Sequence, residues 1–306
     1  MRNYIIKRFF LFFPVIIGVL TLVFLIIHLI PGDPVELMLG ENAQISDKEK
    51  LRTDLGLNKP IIDQYFTFMI NAFKGDLGRS IHSQKPVFAT ILERFPATLE
   101  LTLCAILAAV LISIPLGIIA AYRQYSIFDN GSMFLSLLGI SIPNFWLGPL
   151  LIILFSVMLG WLPVAGRGGI SHIILPSITL GTALSSILSR MTRSSMIDSL
   201  KEEYVTTARA KGLSENVVVI KHALSNAMIP IITIVGLQSG ALLSGAIITE
   251  TIFSWPGIGR LTIQAINTRD YPLLQGCILI ISLSYVVVNL ITDILYAYFD
   301  PRIKYE

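Results

Sequence analysis

The sequence predicts an all-α integral membrane protein with six spanning helices and one helical insert outside the membrane. Three observations carry that prediction. Of 306 residues, 54% are hydrophobic and only 14% are charged, with a mean hydropathy of +0.72, whereas soluble domains carry about a quarter charged residues. Six apolar runs are each long enough to cross a bilayer, which takes about 20 residues. Basic residues collect in alternate connections between those runs. This balance also excludes a disordered chain. A net charge of +3 without a basic run offers no nucleic-acid surface.

The runs cover approximately residues 9–30, 99–122, 133–160, 173–197, 228–252 and 273–298. The first follows Lys7 and Arg8 but exceeds the core of a signal peptide, and no small-residue cleavage site precedes Pro31. It is expected to be a retained helix. With both termini cytoplasmic, Arg2, Lys7, Arg8, Arg123, Arg190, Arg193, Lys201, Arg209, Lys211, Lys221, Arg302 and Lys304 fall inside. The short outer loops then keep Arg167, Arg260 and Arg269, the expected positive-inside bias.

Residues 1–98 form the first span plus the insert, and 99–306 a five-helix core. Within the insert, Ser46 opens a helix-like stretch that closes near Gly56. Tyr65, Phe66, Phe68, Met69 and Phe73 pattern a second amphipathic helix ending at Gly75. A third apolar piece, Val87 to Phe95, is expected to stop at Pro96.

Helical pattern continues past the fourth run through a segment at about 198–227. Glu202 and Glu203 come early, Arg209 and Lys211 late, and Gly212 follows. That order suits a helix dipole with a glycine terminator. Ser214 reads as the N-cap of a second short helix, with Val217, Ile220 and Leu224 on one apolar face. Two short helices joined by a tight turn at Gly212-Leu213 are therefore expected, the next span starting near Ala227 and Pro230.

The residues Tyr204-Val205-x-Thr207-Ala208-Arg209-Ala210-Lys211-Gly212-Leu213, then Lys221-His222-Ala223-Leu224-x-Asn226-Ala227-x-x-Pro230, resemble the EAA-type loop of binding-protein-dependent ABC importers. The match is narrower to the dipeptide/oligopeptide permease branch. Thr206 stands where the general pattern has glutamate, and Ser225 where it has a late proline. Further fragments extend the resemblance along the chain: Pro31-Gly32-Asp33-Pro34, Asp54-Leu55-Gly56-Leu57, Gly75-Asp76-Leu77-Gly78, Arg94-x-Pro96-Ala97-Thr98-Leu99-Glu100-Leu101, Ser141-x-Pro143-x-Phe145-Trp146-Leu147-Gly148, Gly160-Trp161-Leu162-Pro163, Pro256-Gly257-x-Gly259-Arg260, Arg269-Asp270-Tyr271-Pro272 and Asp300-Pro301-Arg302-Ile303.

The resemblance implies a type I ABC importer permease in the cytoplasmic membrane. It also implies a second homologous permease as a heterodimer partner, two ABC ATPase subunits holding ATP and Mg, and an extracytoplasmic solute-binding protein. Tyr204, Ala208, Lys211, Gly212, Leu213, His222, Ala223 and Leu224 are then the expected ATPase-coupling residues. ATP binding would draw the ATPases together, and the helices around 203–224 would carry that motion to the spans as rigid bodies.

Inside the spans, Asn289 and Asp293 share a helix face, and Asp293 is expected to pair with Arg190, Arg193 or Arg123, or to stay hydrated near the surface. Glu100 and Glu250 lie near span ends, where snorkelling suffices. Gly236, Gly240 and Ser244 form a small-residue stripe suited to helix packing or to lining a path. His28, His82, His172 and His222 show no metal-ligand spacing, and no phosphate-binding glycine loop is present. ATP would therefore be bound and hydrolysed by another chain. The alternatives are the same architecture carrying nickel or other metal chelates, glutathione or opines, and an ATP-independent channel or secondary transporter. A membrane protease lacks any nucleophile or metal constellation.

Overall fold

The computed structural model describes residues 2–29, 34–40, 43–54 and 56–299. Helix α1 (Arg2–Leu29) is followed by α2 (Pro34–Leu39), α3 (Ile45–Asp54) and α4 (Ile61–Phe73), then by α5 (Val87–Tyr122), α6 (Ile127–Ser141), α7 (Asn144–Leu151) and α8 (Ile170–Leu200). After the short α9 (Glu203–Ala210) come α10 (Glu215–Val217), α11 (Leu224–Ile252), α12 (Ile258–Asn267) and α13 (Tyr271–Phe299). Four continuous helices are long and apolar enough to cross a membrane: 87–122, 170–200, 215–252 and 271–292. A fifth candidate is a broken pair, and α1 carries a shorter apolar stretch, Phe10–Leu25.

The run at 133–160 is not one straight helix. It breaks after Ser141 with a bend of 108°. Pro143 supplies no N–H and drives the preceding residue out of the helical region, and Ile142 is extended (φ −86, ψ 117). Beyond α7 the backbone widens into a π turn, Ile152–Met158.

Nor does Pro96 end a helix: α5 runs through it, so position 98 falls inside one continuous element. Val87 and Ile91 are fully buried against Ile258, Leu261 and Leu273. Burying two large aliphatic side chains offsets the roughly 3 kcal/mol that an interior proline costs.

The centre of the bundle is the α5–α8 pair. Ala97, Leu101, Ala105 and Ala109 on α5 meet Leu180, Leu184 and Leu188 on α8, with Ile231, Leu242 and Ala246 of α11 and Trp255 closing the cluster. Small residues let the backbones approach: a Cβ on Gly181 would lie 2.6 Å from the Ala105 carbonyl oxygen. Around this centre the outer surfaces are apolar, with Leu103, Leu107 and Leu111 of α5 and Phe134 and Leu135 of α6 all exposed. An exposed apolar belt of this kind is suited to lipid.

The insert packs on α1 and α13. Phe24 of α1 meets Tyr65 and Phe68 of α4 at ring-centroid distances of 5.3 and 5.8 Å, and Thr21 shares a 2.8 Å hydrogen bond with Tyr65. α3 ends before Gly56, which takes φ +66. A hairpin closed by the Arg79–Pro86 bridge leads into α5. Its Ser80 hydroxyl donates to Asp270 at 2.5 Å, a buried contact. Pro31-Gly32-Asp33, Leu55, Asp300-Pro301-Arg302-Ile303 and the side chains of Pro34 and Asp293 lie outside the described residues.

Candidate functional site

α9 begins with Glu203 and ends with Arg209 in its last turn, charges placed to favour the helix dipole. It closes in a Schellman motif. The Gly212 N–H donates to the Arg209 carbonyl at 2.9 Å and the Leu213 N–H to the Ala208 carbonyl at 3.4 Å. The motif needs a left-handed residue, and Gly212 supplies φ +77. Across the turn, Arg209 Nε donates to Glu215 Oε1 at 2.9 Å.

Beyond the turn the second helix does not stay short: α10 continues without a break into α11. Residues 215–252 form one helix, with a π turn at Val218–Ala223, and Pro230 lies inside α11. Ser214 occupies the N-cap position without a side-chain capping bond. The π turn adds a residue to the helical repeat, which explains why Val217, Ile220 and Leu224 do not form the buried face. The buried positions are Val218, Ala223 and Ala227, spaced five and then four, with Val219 beside them. Regular 3.6-residue spacing loses phase there.

This underside seals α9 to the bundle. Val205 and Ala208 of α9 pack with Val218, Ala223 and Ala227 on Ala121 of α5 and Met196 of α8, and Leu224 is half-buried beside them. Ser199 Oγ donates to the Ala223 carbonyl at 2.8 Å and shares a short hydrogen bond with the Tyr204 hydroxyl. Ala208 and Ala223 therefore lie inside the packed seam and not on the exposed face. The exposed face holds Tyr204, Lys211, Gly212 and Leu213, while His222 is half-buried. Val217 (38% exposed) and Ile220 (60%) join it, and regular spacing had hidden both.

The same packing sorts the intramembrane residues. Arg193 of α8 is taken by Asp129 of α6, which is 2% exposed. Nε meets Oδ1 at 2.6 Å and Nη2 meets Oδ2 at 2.8 Å. The Tyr125 N–H also donates to Oδ2 at 2.9 Å. Arg123 lies 4.9 Å from the Phe128 ring centroid. Arg193 is thus held by Asp129, and the pairing expected of Asp293 lies outside the described residues. Asn289 is half-buried on α13. Gly236 and Gly240 face α13, where a Cβ would lie 2.4 Å from Thr292 and 2.8 Å from Tyr285. Ser244 is exposed and falls off that stripe.

At the opposite end of the bundle, Glu250 does not snorkel. It is fully buried and terminates a polar chain: the Ile258 N–H donates to Thr98 Oγ1 at 2.8 Å, and that hydroxyl donates to Glu250 Oε1 at 2.6 Å. The Arg260 N–H donates to Oε2 at 3.0 Å. Glu250 thereby takes one free N-terminal N–H of α12 directly, that of Arg260, and a second, that of Ile258, through Thr98. Trp255, also fully buried, donates from Nε1 to the Ala97 carbonyl at 2.7 Å. A Cβ on Gly257 would lie 2.2 Å from Glu250 Oε1, so only glycine fits. Glu100, by contrast, is half-buried and accepts from Arg167 Nε at 2.9 Å. Among the described residues no cluster of His, Cys, Asp and Glu could hold a metal ion.

A helical bundle with a short helix sealed against its end and a buried cap at the other defines a multi-pass membrane protein with the architecture of an ABC importer permease. That fold is shared by two inward-facing crystal forms of the MetNI methionine ABC transporter; the selenomethionine-soaked form has TM-score 0.58 and 14% identity, covering 68% of this chain and 95% of that one. An amino acid ABC transporter solved with histidines gives TM-score 0.51 and 18% identity, over 70% of this chain and 94% of that one. The chain belongs to the family of binding-protein-dependent transport system inner membrane components, which matches residues 113–305, with the family's N-terminal component matching 1–102. It is 45% identical to the dipeptide transport system permease protein DppB of Alkalihalophilus pseudofirmus. It is 47% identical to the glutathione transport system permease protein GsiC of Escherichia coli O6:H1. Both alignments cover all of each chain. These relatives are transport permeases, not enzymes, and the chain is a multi-pass inner-membrane protein.

Proposed function

We propose that this chain is one permease subunit of an ATP-driven importer for short peptides, glutathione (itself a tripeptide) included. Six crossings with both termini cytoplasmic place α9 on the cytoplasmic side and the insert outside. A second permease of similar fold completes the path, two ATPase subunits dock on the α9 side, and a solute-binding protein delivers cargo. The observation that carries the reading is the two-sided construction of α9. Its underside is sealed to α5, α8 and α11, while Leu213, Val217 and Ile220 stay exposed beside Lys211. A buried underside moves the spans with α9, and an apolar patch in water is suited to a protein partner.

Reconstitution tests this. The full transporter in vesicles is expected to accumulate short peptides only with ATP and loaded binding protein. Ile220→Asp is expected to abolish ATP-dependent uptake while the chain still inserts. Solute movement by the purified chain alone, without nucleotide, refutes the reading. Peptides displaced from the binding protein by metal chelates or opines would transfer the cargo to those classes.

A further inference from the structure

We propose that Arg190 is a carboxylate-binding residue of the translocation path, a proposal that rests on the reading of the chain as a permease for small carboxylate-bearing cargo. α8 buries Leu180, Leu184, Leu188, Thr192 and Met196 against its neighbours. Its other face presents Ile187, Arg190, Met191 and Ser194 to a cleft of about 620 Å³, bordered by Met133 of α6 and Ile234 of α11. Small-molecule sites have volumes of about 300–1,000 Å³.

Two guanidinium groups, one helical turn apart, border this cleft and differ in one respect. Arg193 is neutralised by both oxygens of Asp129. Arg190 is exposed and makes no hydrogen bond or ion pair among the described residues. It stands within the apolar run 173–197, toward the end of that span expected to face the cytoplasm, and its side chain borders the cleft. A charge inside a span requires an anionic or aqueous partner. An open cleft supplies the water, and cargo supplies the anion. Peptides and glutathione alike carry a C-terminal carboxylate, and the planar guanidinium fork matches a carboxylate through two parallel N–H···O bonds. Met133 and Met191, flexible and unbranched, can adapt to varied side chains beside that fixed contact.

The test uses the complete transporter in vesicles, with a tripeptide or its C-terminal amide preloaded on the binding protein. The acid-to-amide ratio of uptake rates is compared between wild type and variants, which cancels the receptor's own preference. Arg190→Gln is expected to lower that ratio about tenfold. Arg190→Lys, which keeps the charge and loses the fork, is expected to fall between the two and serves alone if the glutamine variant does not assemble. Equal ratios in wild type and variants overturn the proposal, including the case in which acid and amide slow together because Arg190 holds a lipid phosphate or a neighbouring subunit. If the wild-type complex moves neither peptide, the permease reading itself fails, independently of Arg190.

Discussion

Replacing Glu250 by Gln tests the buried cap at the start of α12. Both carboxylate oxygens act as acceptors, Oε1 for Thr98 and Oε2 for the Arg260 N–H. An amide keeps one acceptor and turns the other position into a donor facing a donor. A hydrogen bond to a charged group contributes about 1.5–3 kcal/mol, and a buried group left unpaired costs about 1–3 kcal/mol. With partial rearrangement of Thr98, the expected loss is about 3 kcal/mol, roughly a hundredfold increase in the open population of α12. Amide hydrogen exchange across Ile258–Asn267, measured on the detergent-purified chain, reads this directly. Protection falling by about two orders of magnitude there, with α8 unchanged, is the expected result. Protection within threefold of wild type would refute the capping role and return Glu250 to a surface-seeking side chain.

Three further outcomes rest on the same geometry. Gly212→Val places a β-branched residue at φ +77, costing upwards of about 1–2 kcal/mol in the turn; membrane insertion should be normal while uptake per ATP hydrolysed falls severalfold. Asp129→Asn leaves Arg193 with half of its bidentate partner; because Arg193 is 26% exposed, the loss should sit near the lower end of about 3–5 kcal/mol, read as a lower unfolding temperature that Asp129→Asn/Arg193→Gln partly restores. Trp255→Phe removes the 2.7 Å bond to Ala97 and should cost about 1–3 kcal/mol, measured by the same exchange experiment near Ala97.

Composition and span length were enough to read the fold class, because burial in lipid demands long apolar helices whatever their neighbours. The short helix at 203–210 and its glycine stop were also legible, since dipole placement and a left-handed turn are local requirements. Where local rules met tertiary packing, they failed. Pro96 looked like a terminator, yet Val87 and Ile91 have partners on α12 and α13 that no window of sequence contains. Val217 and Ile220 looked buried because a π turn leaves no trace in a 3.6-residue periodicity. Glu250 looked like a snorkelling side chain because its acceptor role depends on Thr98, 152 positions away. Pro143, in contrast, carried a readable signal: a proline in the middle of a 28-residue apolar run argues for a break wherever the flanking pieces can each stay helical.

The 36 residues of α5 amount to a rod about 54 Å long. One tip is embedded with Val87 and Ile91 beside the insert, and the other with Ala121 beneath α9. A rotation of roughly 5° about one tip sweeps the other through about 5 Å, close to the 5.4 Å pitch of one helical turn. A tilt that small, with no helix unfolded and with α8 carried along by the α5 face packed on it, would suffice to link events on the two faces of the bilayer.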